Sequence, residues 1–197
     1  MKKILVCLFA AALLMACSEK RVVVMSKGPA EINTDNKTIK AGDGSGHEEK
    51  SFVVSSSKAV FKLSTPAGEA TVELLDNGLF VVNVKNDTII GSYVKYGDPK
   101  IAQNMITQES LKRDIDSLQL LSEGKNVTAA NRNFYILPNK AVKISDNTQS
   151  IVIGPYHKMT SIEKVDGKDP EVYRFYSIKE IRETILKLQA LAAPKKI

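Results

Sequence analysis

The chain has 197 residues, 28 Lys and Arg against 22 Asp and Glu, a formal charge of +6, two His, two Cys and no Trp. A hydrophobic share of 43% is too high for a disordered chain. Two cysteines exclude a disulfide-dense scaffold. The Lys and Arg residues are scattered without interleaved aromatics, which argues against nucleic acid as a partner.

The first segment, MKKILVCLFAAALLMAC, places Lys2 and Lys3 ahead of an apolar run from Ile4 to Leu14. A membrane-crossing helix needs about 20 apolar residues, so this run is short for a span. Charge, a short apolar run and then small residues form the layout of a secretory signal. An ordinary signal peptide with an incidental Cys, or an uncleaved anchor, would share that layout.

The end of the run is more specific. Leu14-Met15-Ala16-Cys17 resembles the lipobox of bacterial lipoproteins: Leu, a variable residue, a small residue and an obligatory Cys. The resemblance covers only about the first twenty residues, and the mature body matches no family by its motifs. It implies cleavage of residues 1–16 as a signal peptide and lipidation of Cys17. That residue would carry a diacylglycerol thioether and, in many Gram-negative bacteria, an N-acyl chain such as palmitate. Each buried methylene of such chains contributes about 0.8 kcal/mol, so two or three chains hold the protein at the membrane. Ser18, where an Asp would favour inner-membrane retention, implies an outer-membrane lipoprotein. Glu19 is followed at once by Lys20 and Arg21, unlike the acidic tract of surface-exported lipoproteins, so the resemblance points to the periplasm-facing leaflet. A Gram-positive source, with the domain outside the plasma membrane, is the alternative.

With Cys7 removed and Cys17 acylated, no thiol or disulfide remains in the body. Cleavage leaves about 180 residues, enough for one compact domain, and lowers the charge to about +4. Val22-Val23-Val24-Met25 reads as a short strand. From Gly28 to Lys50 apolar residues almost vanish, and AGDGSGHEEK (Ala41 to Lys50) is rich in Gly and charge. This composition predicts residues 17–50 as the lipidated Cys plus a flexible tether. Over 28–50, such a coil would reach roughly 25–30 Å. Residues 51–197 are then a single folded domain.

Between Ser51 and Tyr96 the runs FVVSSS, KAVFKLS, EATVELL, LFVVNV and TIIGSYV alternate with turn signals. The separators are Thr65-Pro66-Ala67-Gly68, Asp76-Asn77-Gly78 and Lys85-Asn86-Asp87, which read as successive hairpins. In KAVFKLS the alternation puts Ala59, Phe61 and Leu63 on one face and Val60 and Lys62 on the other. Helical spacing of Leu111, Ile115 and Leu118 predicts an amphipathic helix over about 107–123, with Thr107 as N-cap and Gly124 at C′. RNFYILPNKAVKIS predicts a hairpin across Pro138-Asn139-Lys140. QSIVIGPY and EVYRFY predict two further strands. Ser177-Ile178-Lys179-Glu180 is a capping box opening a second helix, about 178–193, with the stripe Ile178, Ile181, Ile185, Leu188 and Ala192. Strands followed by mixed strands and helices, without βαβ alternation, predict an α+β fold. Its N-terminal half would be an antiparallel β-meander or a sandwich, with two amphipathic helices packed against further hairpins.

The candidate chemistry is sparse. His47 sits in the Gly-rich stretch, where nothing is expected to fix its ring, and His157 follows a Gly-Pro-Tyr turn. The body lacks a Cys nucleophile and a Gly-x-Ser-x-Gly setting. Asp43 to Glu49 gathers oxygen ligands and one imidazole without an EF-hand pattern or a zinc set, so no metal or cofactor is expected. Gly42, Gly44 and Gly46 lack the flanking strand, helix and Lys-Ser/Thr of a phosphate loop. Tyr93, Tyr96, Tyr173 and Tyr176 could form a sugar platform but fit core positions better. Thr88 and Ser117 lie in Asp-Thr-Ile and Asp-Ser-Leu, matches to an O-glycosylation sequon of some Gram-negative bacteria. The sequence therefore predicts a lipid-anchored, non-enzymatic interaction or scaffold subunit of a cell-envelope assembly. Its partners would be the membrane, through the lipid, and another envelope protein. The alternative is a surface glycan- or solute-binding lipoprotein.

Overall fold

The computed structural model describes residues 19–94, 108–128, 130–155 and 169–192, together with 164 and 167. Twelve strands and two helices are found among them: β1 (Glu19–Ser26), β2 (Ala30–Asn33), β3 (Thr38–Ala41), β4 (Glu48–Ser55), β5 (Ala59–Thr65), β6 (Gly68–Leu74), β7 (Gly78–Asn83), β8 (Ile89–Val94), α1 (Gln108–Ser122), β9 (Asn133–Ile136), β10 (Lys140–Ser145), β11 (Ile151–Ile153), β12 (Val172–Ser177) and α2 (Ile178–Ala192). The expected α+β class is found. Cys17 and the lipobox, Tyr96, Thr107 and His157 lie outside the described residues.

The strands form three four-stranded sheets, ordered β10-β7-β1-β4, β2-β3-β5-β6 and β11-β12-β8-β9. We call them the central, outer and inner sheets. Alternation assigns their faces. Val22 and Val24 of β1, with Phe80 and Val82 of β7, pack on Ile39, Phe61, Leu63 and Leu74 of the outer sheet. Val23 and Met25, with Leu79 and Val81, pack the other way, onto Phe134, Ile136, Tyr173 and Phe175 of the inner sheet. The far face of the inner sheet, through Ile90, Tyr135 and Tyr176, meets Leu111, Ile115, Leu121, Ile181 and Ile185 of the helices. The layers thus run outer sheet, central sheet, inner sheet, helices. The central pair β1 and β7 is parallel and buried on both sides, which is why VVVM and LFVVN are unbroken apolar runs.

Several local expectations are corrected. Residues 28–50, expected as tether, contain β2 and β3 and begin β4, which pairs antiparallel along the whole of β1. The glycines there serve close packing. Gly28 has φ +83°, and a Cβ on Gly44 would fall 2.5 Å from the Lys27 carbonyl oxygen and 2.7 Å from the Gly28 Cα. Backbone contact replaces the side-chain burial that the segment lacks. Of the three hairpin signals, only Thr65-Pro66-Ala67-Gly68 joins paired strands, β5 and β6. Asp76-Asn77-Gly78 carries the chain from the outer to the central sheet, and Lys85-Asn86-Asp87 from the central to the inner. The turn at Pro138-Asn139 likewise crosses sheets, because β9 pairs with β8 and β10 with β7. The sandwich alternative therefore describes the β half better than the meander.

Both helices form where the periodicity places them. The Ser177 amide donates to Glu180 Oε2 (2.7 Å) and the Glu180 amide to Ser177 Oγ (3.2 Å), closing the capping box. Gly124 takes φ +70°, and the amides of Gly124 and Lys125 donate to the carbonyls of Leu121 and Leu120 at the end of α1.

The hydrogen bonds of the buried Lys20 ammonium reach no carboxylate. Lys20 is fully buried, and its ammonium donates to the carbonyls of Ser56 (2.6 Å) and Ser57 (3.0 Å) and to Asn77 Oδ1 (3.5 Å). It ties the start of β1 to the turns before β5 and β7. Lys20→Met keeps the apolar stem and strands these acceptors, so it should cost about 3 kcal/mol. Thermal denaturation should show a melting point lower by roughly 10 °C. Lys40→Met, on the exposed face of β3, should leave it unchanged.

Candidate functional site

Asn83 ends β7 fully buried and organises the loop that follows. Its Nδ2 donates to the carbonyls of Asp87 (2.8 Å) and Ile136 (2.9 Å), and its Oδ1 accepts from the Lys85 amide (3.0 Å). The Val84 amide donates to the Met25 carbonyl (3.0 Å). This crossover is therefore fixed to the ends of both central strands, and it turns Lys85 inward, leaving the residue 7% exposed.

The Lys85 ammonium meets His47 Nδ1 at 2.6 Å, and His47 Nε2 meets Glu49 Oε1 at 2.7 Å. Glu49 is in β4, and His47 immediately precedes that strand. Period-two geometry sends these two side chains the same way. The side chain of His47 is 9% exposed, so its ring is held, contrary to the expectation for the Gly-rich stretch. Gly154, just after β11, backs the pair: a Cβ there would overlap both His47 Nε2 and the Glu49 carboxylate.

Donor and acceptor chemistry sets the tautomer. The Glu49 carboxylate accepts the Nε2 hydrogen, leaving the Nδ1 lone pair to accept from Lys85. Burial pushes the Lys85 amine below its ordinary value of 10.5, opposed by the charges of Glu180, Glu49 and Asp87. Through Lys85 the array borders a cleft of about 310 Å³ whose walls also include Lys27, Asp87, Lys179, Glu180 and Glu183. A proton acceptor beside a partly desolvated amine can move a proton at Nζ, and the balanced rim suits a small polar molecule.

A second polar cluster lies at the other end of β12. Arg132 stacks 3.8 Å over the Tyr93 ring, donates to Tyr173 Oη (2.6 Å from Nη2) and pairs with Glu171. Glu171 also accepts from Ser145 Oγ (2.6 Å) and Ser150 Oγ. Burial raises the Tyr173 phenol, against the nearby Arg132 charge. Glu171 and Tyr173 are thus committed to partners within the fold, as a strut between sheets requires.

The other candidates are placed as follows. Tyr173 is 2% exposed and Tyr176 packs on the helical core, so neither offers a free ring face. Thr88 is buried and its carbonyl accepts from the Ile178 amide, while Ser117 is exposed on α1. Of the two sequon residues, only Ser117 has an exposed side chain. Among the described residues, no group of three His, Cys, Asp or Glu is placed to hold a metal ion. Lys85 was missed as a site residue, because nothing local distinguishes it from other loop lysines. The His-x-Glu spacing at a strand start was the available signal for its partners.

Comparisons with protein-family models, curated proteins and solved structures find no match for this chain.

The lowered Lys85 value has a thermodynamic consequence. The unfolded chain holds this proton up to about pH 10.4, while the folded chain releases it earlier. In that window the unfolded state binds more protons, so the Lys85 contribution to stability rises with pH. Denaturant titrations of native protein and Lys85→Met at about pH 7 and about pH 10 should show their stability difference shifting in favour of the native protein at the higher pH.

Proposed function

We propose that the chain is a lipid-anchored envelope protein whose body is a non-enzymatic interaction subunit, fixed by Cys17 to the periplasm-facing leaflet of the outer membrane. The observation that carries this reading is the position of β1. It begins at Glu19, two residues beyond the lipobox Cys, and runs through the middle of the central sheet. An anchor at Cys17 would hold the body directly against the lipid surface.

The geometry then divides the body. Lys20, Asn77, Gly78 and Ser145 mark the end nearest the anchor. Ser26, Glu48, Asn83 and the cleft at Lys85 lie at the opposite end, about 25 Å away along eight strand residues. A protein held this way turns its cleft toward the soluble compartment. The helical layer adds apolar surface suited to a partner: Leu186 is 65% and Leu191 74% exposed on α2, and Leu120 is 42% exposed on α1. The cleft itself favours the alternative, a surface glycan- or solute-binding lipoprotein, and the two readings differ in which surface matters.

Crosslinking in intact cells with recovery of the native protein, Cys17→Ala and the pair Leu186→Asp with Leu191→Asp separates them. The interaction reading expects an intact mass carrying diacylglyceryl and acyl groups, and an envelope protein recovered in stoichiometric amount with the native form alone. An unacylated native protein removes the anchor. A lipidated protein that recovers no partner, or recovers it equally with the helix variants, turns the reading toward the cleft.

A further inference from the structure

We propose that Lys85 is a reactive amine that forms a reversible imine with a small aldehyde entering the cleft beside it, with His47 as its proton acceptor and Glu49 as the group that positions His47. This goes beyond the anchored-subunit reading and does not depend on it.

Three features converge. The Lys85 nitrogen sits 2.6 Å from an imidazole nitrogen whose lone pair is free to take a proton, since the other ring nitrogen is committed to Glu49 at 2.7 Å. The same residue forms part of the wall of an open cleft of about 310 Å³, room for a molecule of a few heavy atoms. The array is held from several directions: by Asn83 beneath the loop, by β4 through Glu49 and by the absent side chain of Gly154. By contrast, Lys20, the other deeply buried lysine among the described residues, spends its ammonium on backbone carbonyls and Asn77.

The chemistry balances without a further reagent. His47 Nδ1 takes a proton from the Lys85 ammonium, and the resulting imidazolium is stabilised by Glu49. The amine lone pair attacks the aldehyde carbon, a C–N bond forms, and the carbonyl π electrons move to oxygen. A proton passes from nitrogen to that oxygen, giving the carbinolamine. His47 then returns its proton to the hydroxyl, which leaves as water while the nitrogen lone pair closes the C=N bond. The products are a protonated imine, one water and neutral His47; no electrons are gained or lost. The carboxylates acting on Lys85 are Glu180 of α2, Glu49 of β4 and Asp87 of the crossover loop, while Lys27 and Lys179 stand on the cleft wall. The negative charge of the carboxylates offsets the burial of the cationic imine.

The test uses the full chain in detergent, glycolaldehyde as the probe and sodium cyanoborohydride to reduce any imine to a stable secondary amine. Peptide mass mapping follows each lysine with time at about pH 7. Lys58, whose side chain is 55% exposed, is the internal reference. Lys85 should be modified about a hundredfold faster than Lys58, the low end of what a positioned proton acceptor contributes. In His47→Gln its rate should fall to that of Lys58, with the Lys58 rate unchanged. Glu49→Gln, which keeps a hydrogen-bond acceptor and loses the charge, should fall between the two and decides the matter if His47→Gln does not fold. Modification of Lys85 at or below the Lys58 rate overturns the proposal, as does an unaltered rate in the folded variants. Neither result bears on acylation of Cys17, so failure here and failure of the anchor reading are distinct outcomes.

Discussion

The parallel pairing of β1 with β7 is the constraint on which the other layers rest. These strands bury both faces, and each buried Val or Leu contributes about 1.5–3 kcal/mol relative to exposure. Yet an apolar ladder of this kind is weak at choosing its own register. In a half-buried strand a one-residue slip turns every apolar side chain to water, and that penalty fixes the pairing. Between VVVM and LFVV a slip exchanges one apolar face for another. At its two ends the pair is tied by further contacts: Lys20 of β1 donates to Asn77 just before β7, and the Val84 amide just after β7 donates to the Met25 carbonyl. A one-residue slip would break both contacts, so they favour the observed register.

This division of labour explains what the sequence could and could not reveal. Local rules place the helices well: the stripe from Ile178 to Ala192, the Ser177–Glu180 capping box and the Gly124 cap are short-range devices, and each forms as read. Alternation in β5 assigns Ala59, Phe61 and Leu63 to the core correctly. What escaped is long-range. Val22 to Met25 reads as a strand, but its partners start 58 positions later in β7 and run antiparallel in β4, which begins inside what composition marks as tether and continues into the FVVSSS run. Asn-Gly is a strong hairpin signal because it reverses the chain. It reverses just as well between sheets, and nothing at Asp76-Asn77-Gly78 itself distinguishes the two.

The Gly-rich stretch is the instructive failure. Its composition argues that ordering entropy cannot be recovered through buried side chains, which is sound as far as side chains go. Gly28 and Gly44 recover it through backbone packing at a separation no other residue allows. The same misreading hid the site, because a histidine assumed to swing freely cannot be a proton acceptor. Once the loop is held, His47 and Glu49 follow from strand geometry, and Asn83 brings Lys85 to them. Asn83, which ends β7, thus also holds the loop that carries Lys85.

The order of strands in the central sheet also governs how the chain matures. β1 is the earliest described segment to leave a ribosome or a translocation pore, yet it is an inner strand that needs β4 on one side and β7 on the other. Until Gly78 to Asn83 have followed, its parallel edge has nothing to pair with, and closing so long a loop is entropically slow. Its other edge pairs with β4, which ends at Ser55, so the antiparallel half of the ladder has its partner earlier than the parallel half. The parallel half of this ladder is thus completed only once Asn83 is available, with the C-terminal half of the chain still to follow.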